Sequence, residues 1–203
     1  MTPNDIAHAV IPGTFTLDGE THEVENNVWV VGNEAECVVI DAPHDTGAIM
    51  ELVGDRDVRG ILCTHAHDDH VRGAPALRER TGAPIMLHPA DRPLWEMTHP
   101  DLLWDADLAD RQHLNVANSV LTVMHTPGHT PGAVCFHALE FGCVFTGDTL
   151  FEGGPGATGR SFSDGDLIVS SIRSKLFALA DGTIVHTGHG PDTTIGAERS
   201  NIG

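Results

Sequence analysis

The sequence contains no tyrosine, only one lysine and no continuous apolar run of the length that a membrane span requires. A transmembrane helix needs about 20 consecutive, predominantly apolar residues, so we expect neither a membrane protein nor a membrane partner. Basic residues are also scarce: 11 lysines and arginines against 29 aspartates and glutamates give a formal net charge of −18 at pH 7. Because such a surface repels phosphate backbones, nucleic acid is not expected as a partner.

Paired cysteines are absent as well, since none of the four cysteines belongs to a C-x-x-C motif. Three of them stand in apolar runs typical of buried strands, which favours free structural thiols over disulfides. The N-terminal residues 1–5 show neither the basic stretch nor the apolar run of a secretion signal, so we expect a cytoplasmic protein. The length of 203 residues and the 40% apolar content indicate one globular domain spanning residues 1–203.

What the sequence does contain is a series of short apolar runs separated by helical segments and turns. The spacing of apolar residues predicts three helices, over 46–53, 74–80 and 166–179. The runs that predict strands are 28–31, 37–40, 60–63, 85–87, 120–124, 133–136, 143–145 and 183–185. Helices interspersed among two groups of strands predict an α/β fold, a layered sandwich with sheets inside and helices outside.

The segment His65-Ala66-His67-Asp68-Asp69-His70 follows a predicted strand almost at once. In an extended segment the side chains at i and i+2 point the same way, so His65 and His67 can share one metal ion. Asp69 and His70 diverge from that pair and can address a second ion nearby. A solvated histidine-rich loop is the alternative. The H-E-x-x-H spacing of one class of metalloproteases does not occur in this segment.

Three further segments place a metal-ligating residue type in a glycine-containing loop after an apolar run. They carry His129 within 126–132, Asp148 within 146–149 and His189 within 187–190. Glycine beside each candidate ligand allows the backbone to approach a metal centre closely. Together with the histidine-rich segment, these loops predict imidazole and carboxylate ligands around one cleft.

In this order, and over nearly the whole sequence, these residues resemble the metallo-β-lactamase-fold hydrolases. The resemblance rests on Asp41, His65-x-His67-x-Asp69-His70, His129, Asp148 and His189. It implies an αββα sandwich, in which two mixed sheets pack face to face with helices outside. It also implies two divalent metal ions, expected to be Zn²⁺, with Fe or Mn as alternatives.

The same resemblance implies a ligand set, position by position. Each ion would take three terminal ligands: for one ion His65, His67 and His129, and for the other Asp69, His70 and His189. Asp148 would bridge the two ions. Asp41 would orient one of the ligating histidines by hydrogen bonding, as groups behind metal ligands generally do.

Among these hydrolases the sequence is most similar to the glyoxalase II branch, because T-P-G-H-T-P-G and T-G-D-T-L-F are typical there. Two departures bear on the substrate. The sequence ends 14 residues after His189, so we expect no counterpart of the C-terminal helical domain of that branch. The Lys and Tyr that grip the glutathione carboxylates find no match in 152–165. We therefore expect a small acyl thioester of a low-molecular-weight thiol, with Arg160 and His44 contacting the substrate.

The expected reaction is attack of a metal-bridging hydroxide on the thioester carbonyl, with Asp69 or Asp68 handling the proton. A thiolate leaves without a strong general acid. One alternative of the same fold is a mononuclear iron persulfide dioxygenase that holds iron through the positions of His65, His129 and Asp148. A lactonase is disfavoured by the absence of tyrosine, and a β-lactamase by the single, distant lysine. A non-catalytic metal-binding module is a further alternative.

The G-x-G-x-x-G pattern at 154–159 matches a dinucleotide-binding fingerprint. Such a fingerprint belongs in a complete βαβ unit, and few residues remain after it to build one. We interpret the pattern instead as a loop beside the metal site, with Arg160 as its anion anchor.

Overall fold

The computed structural model describes residues 5–202. Residues 1–4 belong to the N-terminal stretch from which a cytoplasmic location is expected, and they lie outside the described residues. Within the described chain, no helix combines the length and the apolar character needed to cross a membrane.

The first sheet contains the first six strands in chain order. They are β1 (Asp5–Leu17), β2 (Glu20–Gly32), β3 (Glu36–Ile40), β4 (Asp57–Leu62), β5 (Ile85–Leu87) and β6 (Ala106–Asp107). The pairs β1–β2 and β2–β3 are antiparallel, whereas β3 to β6 run parallel. The turn between β2 and β3 is held by Asn33, whose side-chain oxygen accepts from the amides of Ala35 and Glu36, as turn asparagines commonly do.

The second sheet has the strand order β14-β13-β10-β9-β8-β7. The remaining strands are β7 (His113–Val116), β8 (Ser119–His125), β9 (Val134–Ala138), β10 (Cys143–Gly147), β11 (Leu150–Phe151), β12 (Gly154–Pro155), β13 (Ile184–Thr187) and β14 (Thr193–Thr194). The three closely spaced runs predicted as strands at 120–124, 133–136 and 143–145 form an antiparallel meander of β8, β9 and β10. The pairing of β10 with β13 is parallel, so this sheet is mixed like the first.

Residues 5–202 contain six α-helices: α1 (Thr46–Val53), α2 (Asp68–Val71), α3 (Ala74–Thr81), α4 (Arg92–Thr98), α5 (Gly165–Ser174) and α6 (Ile195–Arg199). Helix α1 begins where the Asp45 side chain accepts from two amides of the first turn, and it ends at Gly54, whose φ is 64°. The predicted helix over 166–179 is too long. The α-helix ends at Ser174 and a 3-10 turn over Leu176–Ala178 follows, which keeps Leu176 buried in the core beneath α5.

Three layers of buried apolar side chains hold the sheets and helices together. Alternation along β3 shows the arrangement: Cys37 and Val39 join the core between the first sheet and its helices, whereas Val38 and Ile40 join the core between the two sheets. A third core lies between the second sheet and helices α5 and α6. These layers confirm the αββα sandwich, and the four cysteines are buried and free within it.

Candidate active site

Three histidines from two different sheets meet at one end of the sandwich. His65 and His67 follow β4 of the first sheet, and His129 lies in the loop between β8 and β9 of the second. The Nδ1 atom of His67 lies 3.0 Å from Nε2 of His65 and 3.0 Å from Nε2 of His129. The other ring nitrogen of His129 donates to the carbonyl oxygen of Ala157 at 2.9 Å. This bond leaves the Nε2 of His129 with a lone pair that faces its two neighbours.

All three rings are buried, and the surroundings of His65 and His67 keep these two rings neutral. Burial is the main cause that holds the pKa of His65 well below its usual value. Burial, followed by the nearby His129, lowers the pKa of His67 to about 3. Three nitrogen lone pairs at such short separations repel one another, whereas a cation between them would bind all three.

Asp69, His70 and His189 form a second group beside the first. The Nε2 atoms of His70 and His189 are 3.1 Å apart, and the Oδ2 atom of Asp69 lies 3.6 Å from the former and 3.3 Å from the latter. The remaining ring nitrogens donate away from the group. Nδ1 of His70 bonds Asp41 at 2.8 Å, and Nδ1 of His189 bonds the carbonyl oxygen of Glu25 at 2.7 Å. Both Nε2 atoms are thereby aimed at the same point as the Asp69 carboxylate.

Asp148 lies between the two groups, at the end of β10. Its Oδ1 is 3.4 Å from Nε2 of His70, and its Oδ2 is 3.4 Å from Nε2 of His189 and 3.6 Å from Nε2 of His129. Within the described chain, the buried Oδ1 atoms of Asp148 and Asp69 have no hydrogen-bond partner. Burying a carboxylate oxygen without a partner is costly, and a shared cation would remove that cost.

The residues present fit divalent metal ions. At the Zn–N distance of about 2.0–2.1 Å, two ligands of a tetrahedral site lie about 3.3 Å apart. The separations of His67 from its two neighbours and those within the second group span 3.0 to 3.6 Å. Imidazole and carboxylate donors suit Zn²⁺, Fe and Mn alike, so the donor set does not select among them.

The two groups differ in their electrostatics. Burial lowers the pKa of His70 and His189, but the neighbouring carboxylates outweigh burial and raise the pKa to about 9 for His70 and to about 11 for His189. Burial likewise opposes the shift at Asp148, yet the adjacent histidines hold its pKa well below the usual range. The carboxylate-rich half therefore retains protons at pH 7, and a metal ion entering there would displace them.

Asp41 supports the site from behind. Its carboxylate accepts from the amide of Thr64 at 2.7 Å, from the Thr64 hydroxyl at 2.8 Å and from Nδ1 of His70. The Thr64 hydroxyl also lies 3.0 Å from Nδ1 of His65, so one carboxylate orients a histidine of each group. The histidine-orienting role expected for Asp41 agrees with this geometry.

Asp68 is the exception among the sequence-predicted acids. Its Oδ1 accepts from the amide of Thr16 at 3.0 Å, and its Oδ2 pairs with the Arg72 guanidinium. The side chain lines a separate surface pocket with Thr16 and Arg72. Both oxygens of Asp68 are thus engaged away from the two groups, which favours Asp69 over Asp68 as the candidate for proton handling.

A cavity of about 260 Å³ opens above the two groups. Its lining residues are Phe15, His22, Val24, His67, Asp69, His129, Asp148, Ala157, Arg160, Ser161, Ser163 and His189. Arg160 stands at the mouth, with its guanidinium 3.3 Å from Glu20 and 3.0 Å from Nε2 of His22, above the ring of Phe15. His44 is not among the lining residues. Its ring covers Gly13 and bonds the backbone of Thr14, so the expected substrate contact by His44 is not supported.

Two asparagines of β2 belong to the site, and neither is among the site residues predicted from the sequence. Asn26 is fully buried and donates from Nδ2 to Oδ2 of Asp69 at 3.0 Å. Asn27 donates to the carbonyl oxygens of Thr187 and Gly190, which flank the loop that carries His189. The signal was present in the sequence, since two adjacent asparagines are unusual inside a strand.

The glycine-rich segment at 154–159 does not form a βαβ unit. Gly154–Pro155 pairs with Leu150–Phe151 in a short antiparallel hairpin. A Cβ atom on Gly156 would lie 1.8 Å from the carbonyl oxygen of Asp148, so glycine is required where the loop passes the site. The interpretation as a loop beside the metal groups agrees with this placement.

The molecule has two mixed sheets packed face to face between outer helices, and groups of histidine and aspartate lie at one end of them. This combination defines the class of metallo-hydrolases with an αββα fold. The chain belongs to the metallo-beta-lactamase superfamily, whose family model matches residues 23–193. It is 35% identical over 192 residues to the hydroxyacylglutathione hydrolase GloC of Haemophilus influenzae, which covers 86% of this chain and 89% of that protein.

Solved structures agree with this membership. The B3 metallo-beta-lactamase BLEG-1 superposes with a TM-score of 0.80 at 29% identity, over 94% of this chain and 97% of that chain. The protein TTHA1623, solved in a di-iron-bound form, superposes with a TM-score of 0.77 at 31% identity, over 95% of this chain and 98% of that chain.

Proposed function

We propose that the protein is a dinuclear metal-dependent hydrolase that cleaves a small acyl thioester of a low-molecular-weight thiol. One observation carries the proposal: the carboxylate of Asp148 lies within 3.6 Å of ligand atoms from both groups. A carboxylate in that position suits two cations rather than one. His65, His67 and His129 would hold one ion, and Asp69, His70 and His189 the other.

Two divalent ions bound there would lower the pKa of a water between them towards about 7 and would polarise a substrate carbonyl. The protein's own carboxylates do the rest. Asp148 and Asp69 offset part of the cationic charge, and Asp69, which lines the cavity, would receive the proton there. A leaving thiolate needs no strong general acid. This accords with a site in which all histidines of the two groups are candidate metal ligands.

The cavity above the two groups supports a substrate with an apolar acyl end and an anionic thiol end. Phe15, Val24 and Ala157 supply apolar wall beside the ligands. Arg160 and His22 stand together at the mouth, where Glu20 already makes a carboxylate–guanidinium contact. A carboxylate on the thiol portion would replace Glu20 in a charge-assisted contact. The similarity to a hydroxyacylglutathione hydrolase supports the same substrate class.

A mononuclear iron persulfide dioxygenase and a lactonase are the alternatives within this fold. The completeness of the second group, in which Asp69, His70 and His189 lie within 3.6 Å of one another, favours the dinuclear hydrolase over the dioxygenase. The similarity to a B3 metallo-beta-lactamase adds β-lactams to the substrates that require testing.

The test is a substrate panel with metal-replete protein. Lactoyl and formyl thioesters of several thiols, a homoserine lactone, a β-lactam and glutathione persulfide would be compared, with free thiol, ring opening and oxygen uptake followed in parallel. We expect release of thiol to have the highest kcat/KM. Oxygen uptake with the persulfide, or ring opening far faster than thiol release, would overturn the proposal.

A further inference from the structure

Asp91 is a fully buried carboxylate that neither the proposed reaction nor the ligand set uses. It ends the 3-10 turn Pro89–Asp91 and occupies the N-cap position of α4, yet its side chain makes no capping hydrogen bond to that helix. N-cap aspartates ordinarily accept from the amides of their own first helical turn. The carboxylate is therefore turned toward another part of the molecule.

The Asp91 carboxylate holds both segments that carry the three-histidine group. Its Oδ2 accepts from the amide of Ala66 at 2.9 Å and from the hydroxyl of Thr130 at 2.8 Å. Its Oδ1 accepts from the amide of Gly132 at 2.5 Å. Ala66 is the residue between the two histidines that follow β4, and Thr130 directly follows the third histidine in the loop after β8. One side chain thus ties a ligand segment of the first sheet to a ligand loop of the second.

The packing around Asp91 leaves little room for an alternative. A Cβ atom on Gly132 would lie 2.8 Å from Cγ and from Oδ1 of Asp91, so the close approach of the loop requires glycine there. The donors to the carboxylate are two backbone amides and a hydroxyl, all of them neutral. Burial raises the pKa of Asp91, and the hydrogen bonds from Thr130 and Gly132 act in the opposite direction.

A carboxylate buried among neutral donors is an expensive way to stabilise a fold, because an apolar residue of similar volume often serves stability better. The cost of burying this carboxylate has a reason if Asp91 fixes the relative geometry of the two segments that it holds. Three acceptor contacts made by one planar group set the separation and the rotation of two loops more tightly than apolar packing does.

We propose that Asp91 is a positioning residue for the three-histidine metal site, which clamps the segment of His65 and His67 to the loop of His129. Asp91 contacts neither the substrate nor the ligand nitrogens. It acts through the backbone of the segments that carry the three histidines. The inference rests on the proposed metal centre and assigns the residue that sets the geometry of one half of it.

The test is stepwise zinc affinity in Asp91→Asn. An asparagine at this position must turn its NH₂ group either toward the donors of Ala66 and Thr130 or toward the Gly132 amide, so the clamp loses at least one contact. We expect one of the two zinc-binding steps to weaken by about 10- to 100-fold, as loss of a supporting group behind ligands generally causes, with the other step unchanged.

Two backgrounds assign the affected ion. In His189→Ala, which disables the second group, Asp91→Asn should still weaken the ion that remains. In His67→Ala, which disables the three-histidine group, Asp91→Asn should have no further effect on zinc affinity. The visible absorption of the Co²⁺-substituted protein gives an independent readout, since only the bands of the ion at the three-histidine site should shift.

Glu198→Gln is the matched control. Glu198 is equally buried and also accepts from three neutral donors, of Thr193, Gly153 and Asn201, but none of these adjoins a ligand. It should lower thermal stability without changing either zinc affinity. If Asp91→Asn fails to fold, Thr130→Val removes one donor to the clamp and should weaken the same zinc step to a smaller extent.

The outcomes distinguish failure of the proposed metal centre from failure of the positioning role of Asp91. Wild-type protein that binds no zinc would refute the metal centre itself. Two other outcomes, in wild-type protein that binds two zinc ions, would refute the positioning role alone. One is that both zinc affinities are unchanged in Asp91→Asn and in Thr130→Val. The other is that Glu198→Gln lowers zinc affinity as much as Asp91→Asn does.

Discussion

Asp41 offers the sharpest test of how the ligating histidines are oriented. It sits at a φ of 61°, a left-handed conformation that asparagine tolerates as well as aspartate does. Asp41→Asn therefore changes the hydrogen bonding with little backbone strain. The native carboxylate accepts three hydrogen bonds, two from Thr64 and one from Nδ1 of His70. An amide in its place has one acceptor oxygen and one donor group, so the three contacts cannot all persist.

Each orientation of the new amide has a definite cost. If its NH₂ replaces Oδ2, Nδ1 of His70 must become the acceptor, and the proton moves to the Nε2 atom that would ligate the metal. If its NH₂ replaces Oδ1, it faces the amide of Thr64, and a buried donor is left unsatisfied at a cost of about 1–3 kcal/mol. We expect the zinc ion at the second group to bind about 10- to 100-fold more weakly, which corresponds to about 1.4–2.7 kcal/mol.

The assay is competition for zinc against a chromophoric chelator, combined with ¹⁵N NMR of the His70 ring. The affinity loss should be confined to one of the two ions, and in the metal-free protein above pH 9, where the His70 ring is neutral, its single proton should be found on Nε2. Asp166→Asn, an exposed position in the first turn of α5, is the control and should change neither readout. Wild-type affinity for both ions in Asp41→Asn would refute the orienting role.

Three further predictions concern the rest of the site. Asp148→Asn should lower kcat by several orders of magnitude, because a neutral amide cannot hold two cations together, and near-wild-type turnover in a metal-replete variant would contradict this assignment. Arg160→Ala should raise KM for an anionic thioester more than it lowers kcat, because the contact exists in the ground state and the transition state alike; an equal loss with a neutral thioester would count against it. In metal-free protein the raised pKa values of His70, about 9, and His189, about 11, contribute stability that is present below pH 6.5 and is lost as the pH rises through those values. Thermal unfolding of the chelated protein should therefore show a midpoint that falls as the pH rises from about 6.5 through 9, and a rising midpoint over that range would contradict the direction of both pKa shifts.

The sandwich and its meander could be predicted because their strands are continuous apolar runs with turn residues between them. The edge strand β1 could not, since most of its side chains are partly buried or exposed and the run contains Pro12 and Gly13. Its pairing with β2 nevertheless has a short-range signal. Asp18 and Gly19 form the turn with φ values of 55° and 80°, and an Asp-Gly pair is a strong hairpin signal.

The residues of the two candidate metal groups could be singled out from the sequence because metal chemistry restricts residue type and spacing. Among the supporting groups, the resemblance to a known family implies Asp41, but Asp91 could not be predicted, since a carboxylate behind a ligand has no restricted spacing. Asp68 and Asp69 show the limit most plainly: they are neighbours in sequence, but one helical step turns Asp68 toward Arg72 and leaves Asp69 facing the cavity. Asp91 stands 25 residues from the Ala66 amide that it holds, a distance that no local pattern reports.

The central claim is that two metal ions occupy this site, and metal content tests it most directly. Protein purified without chelator should be analysed for zinc, iron and manganese while its activity on the thioester panel is measured on the same sample. We expect about two metal ions per chain in fully active protein, with one ion lost in His67→Ala and the other in His70→Ala. A single iron per chain in fully active wild-type protein would contradict it.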